Sequence, residues 1–180
     1  VSEYAKRYGY AYRMYKYNDT YKGACWHPVR GPILAQWCKI LALKLAYDSF
    51  PQSDLIVWLD TDVFINQMEI PIDEYIDVAP IVAPQGWTEK TKCQRAEPRM
   101  GRKHVDVFLS RNSHADGCCG PNTGIVVLRR SDTSRKLLKE WWDHAMAHGI
   151  PGPYDQGFVA AVFYPQHSDE VAVLEEDFLS

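Results

Sequence analysis

Apolar residues run from Leu55 to Leu59, meet Asp60-Thr61-Asp62, and resume at Val63, Phe64 and Ile65. An apolar run of that length beside charges predicts a buried strand with carboxylates at its carboxyl end. In an extended chain residues two apart face the same side, so Asp60 and Asp62 are expected to aim at one point. Apolar residues on both sides of the pair predict that it lies between buried segments, a costly place for charge unless something binds there.

The rest of the chain alternates helix and strand patterns. Val1 to Tyr8 reads as a helix ended by Gly9, and Tyr10 to Tyr17 alternates as a strand would. A loop follows from Asn18 through Gly23 to Pro32. Ile33 to Ser49 gives the clearest helix, with Ile33, Leu34, Trp37, Ile40, Leu41, Leu45 and Ala46 at helical spacing. Lys39 and Lys44 fall between them, and on pattern alone Trp37 reads as core and Lys39 as a solvated face. Pro71 to Ile76 predicts a short helical turn and Ile81 to Ala83 a short strand. Residues 88–119 are polar and irregular, which predicts an active-site loop or an insertion. His104 and His114 in it read as surface residues. Asn122-Thr123-Gly124 opens a strand over Ile125 to Leu128, where the glycine permits a close approach. Ser131 or Asp132 caps a helix running through Leu137, Leu138, Trp141, Trp142 and Ala145. After the breakers Gly149 to Pro153 come Asp155-Gln156, a helix-like run from Phe158 to Phe163, and a last strand, Val171 to Leu174. Asp155 on its own reads as an N-cap.

Composition narrows the class. The 180 residues suffice for one domain with a sizeable core, and no repeat or second domain is visible. Charge is nearly balanced, 20 basic against 23 acidic residues, so no basic field draws nucleic acid. No apolar run is long enough to span a bilayer. The five Cys fall at irregular spacing, with no CxxC for zinc. Cys38 reads as a small core residue, while Cys93 with Cys118 or Cys119 is the candidate pair under oxidising conditions.

Two carboxylates held close repel unless a cation sits between them, and hard divalent ions such as Mn2+ or Mg2+ suit oxygen ligands. A strand ending in acidic turn residues is the plainer alternative.

Four segments, in order, resemble a GT-A type glycosyltransferase: Trp37-Cys38-Lys39 on its helix, Val57-Trp58-Leu59-Asp60-Thr61-Asp62, Asn122-Thr123-Gly124 with Val127-Leu128-Arg129, and Asp155-Gln156. The nearest likeness is the family of fungal galactosyl and mannosyl transferases and plant xyloglucan xylosyltransferases. That resemblance implies an α/β fold, a single Rossmann-like domain with a mixed, mostly parallel sheet flanked by helices. It implies a metal-dependent enzyme that moves a sugar from a UDP- or GDP-linked donor to a glycan or other hydroxyl acceptor.

By the resemblance, Asp62 is the direct Mn2+ (or Mg2+) ligand, and Asp60 binds metal, ribose or both. Thr61, Lys39, Asn122 and Gly124 border the donor, with Lys39 on phosphate or sugar. Asp155 and Gln156 stand at the reacting sugar. Asp155 is the general base if the reaction inverts, or the stabiliser of an oxocarbenium-like state if it retains, as the family generally does. Gln85, Gly86 and Trp87 line the sugar or acceptor pocket. Members of the family usually supply a first strand, expected here ahead of residue 1, and many a late His as third metal ligand; His167 does not match that motif, so the expectation is a compact or truncated version, or a third ligand from elsewhere. A eukaryotic member with its anchor removed belongs in the Golgi lumen, and another member in the cytoplasm. Paired aspartates also suit a metal-dependent phosphohydrolase or nucleotidyltransferase, and a silent carbohydrate-binding domain is a third reading. Sugar transfer is favoured by the NTG and DQ segments and by six Trp.

Overall fold

The computed structural model describes residues 1–16, 25–79, 81–82, 105–111, 121–146 and 155–174. In chain order they form helix α1 (Ser2–Tyr8), strands β1 (Cys25–His27) and β2 (Gly31–Ile33), and helix α2 (Cys38–Ser49). Strand β3 (Leu55–Leu59), helix α3 (Ile72–Val78) and strands β4 (Ile81–Val82), β5 (Val107–Arg111) and β6 (Pro121–Arg129) follow. Last come helix α4 (Asp132–Asp143), helix α5 (Asp155–Phe158) and strand β7 (Val171–Leu174). Between α5 and β7 the helix continues as a π-helical segment, Val159–Phe163, and a final turn, Tyr164–Gln166.

Alternation on the central strands decides the layering. Val107, Leu109, Val126, Leu128, Val171 and Val173 are buried in one apolar cluster, and Phe108, Ile125, Val127, Ala172 and Leu174 in another. Strands apolar on both faces need cover on both sides. Tyr4 of α1 and Ile72 and Ile76 of α3 supply it on one face. Ile40, Leu43 and Tyr47 of α2, Trp141 of α4, and Phe158 and Phe163 supply it on the other.

The sheet runs in the order β3-β6-β5-β7-β4. It is mixed, as expected, and its balance of directions is a correction to "mostly parallel": among the described residues β5–β7 is the one parallel ladder, and β3–β6, β5–β6 and β4–β7 are antiparallel. The cause is local. Residues 112–120 between β5 and β6 are too few for a helical crossover, so β6 must return antiparallel. β5 also lies inside the stretch read as irregular and sits at the centre of the sheet.

Other differences have equally local causes. Tyr10 to Lys16 form no strand; Tyr8 and Tyr10 instead pack on Tyr4, and the Tyr10 hydroxyl donates to Asp73 Oδ1 at 2.8 Å. The helix read from Ile33 begins at Cys38, after a 3-10 turn over Ala35–Trp37. Ile33 itself pairs with Cys25 in the β1–β2 hairpin. Cys38 is not a free core thiol: it forms a disulfide with Cys25 that pins this hairpin to α2. Spacing cannot disclose a pair whose Cα atoms are brought within 5.6 Å by the fold. Cys93, Cys118, Cys119, His104 and His114 lie outside the described residues.

Predicted caps hold. Gly9 adopts φ 69° at the end of α1. The Ser131 side chain accepts from the Ser134 amide, and the Ser134 hydroxyl accepts from the Ser131 amide, closing a capping box on α4.

Candidate functional site

Antiparallel pairing sets the carboxyl end of β3 beside the amino end of β6. Leu59 pairs with Ile125, and one step on, the Asp60 amide donates to the Gly124 carbonyl at 2.8 Å. Here β5 lets β6 go: Leu109 lies opposite Val126, but Ser110 lies opposite Asn122. Residues 123–125 therefore bulge from that ladder, a common way of re-aiming side chains at a site. Asn122 Oδ1 accepts from the Gly124 amide at 2.6 Å. A Cβ at position 124 would stand 2.9 Å from that oxygen, so the Asn122 side chain closes on the 124 amide only because this residue is glycine.

A buried cation organises the cluster. Lys39, in the first turn of α2, is 7% exposed. Its Nζ lies 3.0 Å from Asp60 Oδ2 and 3.3 Å from Asp155 Oδ2, and donates to the Thr123 carbonyl at 2.9 Å and hydroxyl at 3.3 Å. The Thr123 hydroxyl in turn donates to Asp155 Oδ2 at 2.7 Å. The Trp58 indole N–H donates to Asp60 Oδ1 at 2.5 Å. Strand alternation puts Trp58 and Asp60 on the α2 side of β3. Lys39, read from pattern alone as solvated, is thus buried, because carboxylates from β3 and α5 and a hydroxyl from β6 satisfy its charge. Asp155 is 3% exposed, and its carboxylate meets Thr123 and Lys39. Motif order alone assigns no role to Thr123 or Trp58; alternation along β3 is the sequence signal that puts Trp58 on the same side as Asp60.

The Asp60–Asp62 pair departs from expectation. The Val63 amide donates to the Asp60 carbonyl at 3.2 Å, so residues 60–63 turn instead of extending β3, and the two-residue alternation stops at Asp60. Asp62 and Thr61 are exposed and make no hydrogen bond or ion pair among the described residues. Of the apolar run after the pair, Val63 and Ile65 are half-buried against the core as expected, while Phe64 between them is 71% exposed. Gln156 is half-buried and forms no hydrogen bond among the described residues. Gln85, Gly86 and Trp87 lie outside the described residues. His167 faces Glu140 Oε1 at 3.0 Å, remote in the chain from these groups.

The donor set tests the metal expectation. No three His, Cys, Asp or Glu side chains converge as a ligand set among the described residues. Both Asp60 oxygens already accept a hydrogen bond, and an ammonium sits against one of them. Asp62 alone offers an uncommitted, exposed carboxylate beside the cluster, which suits a hard cation shared with an anionic ligand. A metal at this site would be held through Asp62, with Asp60 behind it committed to Lys39 and Trp58. No helix among the described residues is long and apolar enough to cross a membrane.

The chain is similar to known proteins in family, sequence and fold. A family model described as the galactosyl transferase GMA12/MNN10 family matches residues 2–169. A probable alpha-1,6-mannosyltransferase, MNN10, of Saccharomyces cerevisiae is 27% identical over 146 residues, 78% of this chain and 34% of its own. An alpha-1,2-galactosyltransferase of Schizosaccharomyces pombe is 24% identical over 183 residues, 96% of this chain and 46% of its own. The chain thus spans between a third and a half of the length of these curated relatives. A glycosyltransferase involved in glycosylation of the major capsid of PBCV-1 superposes with a TM-score of 0.61 at 19% identity, over 97% of this chain and 71% of its own, and shares the fold. With the family model covering nearly the whole chain, this protein belongs to the galactosyl transferase GMA12/MNN10 family.

Proposed function

We propose that this chain carries the donor-binding and reacting-sugar side of a metal-dependent glycosyltransferase. It moves a hexose from a UDP- or GDP-linked donor to a glycan or other hydroxyl acceptor. The observation that carries the reading is the Lys39–Asp60–Thr123–Asp155 cluster with Asp62 exposed on the adjoining turn. The mannosyl and galactosyl transferases among the relatives support a hexose. In the reaction the bond from the anomeric carbon to the diphosphate oxygen breaks, and its electron pair leaves with the nucleoside diphosphate. The acceptor hydroxyl forms the new bond as it loses its proton. A divalent ion on Asp62, Mn2+ or Mg2+, would offset the charge that develops on the leaving diphosphate. Asp60, fixed by Trp58 and Lys39, supports that side of the site. Asp155 stands on the sugar side, where a carboxylate stabilises positive charge at the anomeric carbon or takes the acceptor proton.

The test is binding of UDP and GDP to the purified protein with and without Mn2+, followed by turnover of UDP-galactose and GDP-mannose. Asp62→Ala should abolish the Mn2+-dependent part of the affinity and leave melting unchanged, because Asp62 is exposed and makes no hydrogen bond or ion pair among the described residues. Unchanged affinity in Mn2+ would refute the assignment.

A further inference from the structure

Asp155 does not hold itself in place. Its Oδ2 takes the Thr123 hydroxyl proton at 2.7 Å and faces Lys39 Nζ at 3.3 Å, while Oδ1 accepts no hydrogen bond among the described residues. The Thr123 hydroxyl accepts from Lys39 Nζ at 3.3 Å, so its one proton is directed to Asp155. The backbone of Thr123 is fixed by the same ammonium, which bonds its carbonyl at 2.9 Å. Thr123 is 2% exposed, so no solvent competes for these bonds. Its place in the β5–β6 register break lets this side chain meet α5. One hydroxyl donor and one ammonium charge hold this oxygen, so the orientation of the carboxylate depends on them.

Resting on the function proposed above, we infer that Thr123 is a positioning residue: its hydroxyl, oriented by Lys39, fixes the Asp155 carboxylate so that Oδ1 is presented to the reacting sugar. Thr123 touches no substrate in this scheme and acts through Asp155. A carboxylate that swings by about an ångström loses on the order of 100-fold in rate.

The experiment compares the wild type with Thr123→Val, Thr123→Ser, Asp155→Asn and the Thr123→Val/Asp155→Asn double variant. Each is assayed for melting temperature, affinity for UDP and GDP in Mn2+, and kcat and KM with UDP-galactose and GDP-mannose. Valine keeps the shape of threonine and removes the hydroxyl; serine keeps the hydroxyl. Thr123→Val should lower kcat by about 100-fold with nucleotide affinity within about twofold of wild type, the signature of an interaction realised in the transition state. Thr123→Ser should recover most of that loss. In the double variant the valine should add no further loss to that of Asp155→Asn, because residues acting through one group are not additive. A kcat for Thr123→Val within about twofold of wild type overturns the proposal alone. So does a loss that multiplies fully with that of Asp155→Asn, or one that serine does not recover. A wild type that binds neither nucleotide in Mn2+ and turns over neither donor overturns the proposed function, and this inference with it.

Discussion

Replacing Lys39 with methionine tests the centre of the cluster. The substitution keeps an unbranched chain of similar length and removes the ammonium. It strands Asp155, whose side chain is 4% exposed, and Asp60, at 32%. Breaking a buried pair by removing one partner costs roughly 3–5 kcal/mol, because the remaining charge has no compensation. Coulomb attraction at 3.3 Å and an effective dielectric of 20 gives about 5 kcal/mol, the same scale. The Asp60 share is discounted because water screens a carboxylate a third exposed, so nearly all of the loss is assigned to Asp155. For a domain of this size each kcal/mol moves melting by about 2–4 °C, so Lys39→Met should melt roughly 6–20 °C lower. Calorimetry or near-ultraviolet circular dichroism at pH 7 reads it. Adding Asp155→Asn removes the stranded charge and should restore more than half of the loss, since an amide oxygen still accepts from Thr123. The argument fails if Lys39→Met melts within about 2 °C of wild type, or if the double variant melts lower than the single.

Two further outcomes follow from the β1–β2 hairpin. Reducing the Cys25–Cys38 disulfide, or Cys38→Ser, should cost about 3 kcal/mol, as for a loop of comparable length, read as a lower melting temperature in reductant; equal melting with and without reductant would contradict it. His27 is buried against Trp142, and its Nδ1 accepts from the Val29 and Arg30 amides at 3.2 Å each. Burial, then the positive charge of Arg30, hold its pKa below the usual histidine range, with Lys44 adding to that and Asp143 opposing it. The folded protein therefore binds this proton less readily than the unfolded chain. The stability is complete above the unfolded pKa, about 6.5, and is lost as pH falls below it toward the folded value. Melting measured from pH 7 to 5 should fall more steeply in wild type than in His27→Asn, which keeps an oxygen acceptor for the turn; equal slopes would refute it.

Much of the element order was legible because it rests on local chemistry. Gly9 and Ser131 announce helix ends through their backbone and capping preferences, and the apolar runs at β3, β6 and β7 announce strands; β6 and β7 are buried, whereas β3 lies at the sheet edge with Ile56 its one buried residue, a correction to the buried strand expected there. Face and register were less legible. The apolar spacing in α2 pointed to Leu45, which is 48% exposed, while Lys39 is buried. Helical periodicity weighs apolar residues and is blind to a cation whose partners arrive from distant segments.

The linear chain by itself, through motif order and the family resemblance it carries, names Lys39, Asp60, Asp62, Asn122, Gly124 and Asp155 as candidates for the site. Their grouping was settled in three dimensions. An antiparallel β3–β6 ladder and a break in the β5–β6 register bring Asp60, Gly124 and Thr123 together, and α5 delivers Asp155 to the same ammonium. Tertiary structure also separated the two aspartates that the chain shows as a pair. A turn after Asp60 leaves Asp62 in solvent and commits Asp60 to Lys39 and Trp58. Turns and ladders are set by non-local pairing, and side-chain periodicity carries no record of where a strand stops.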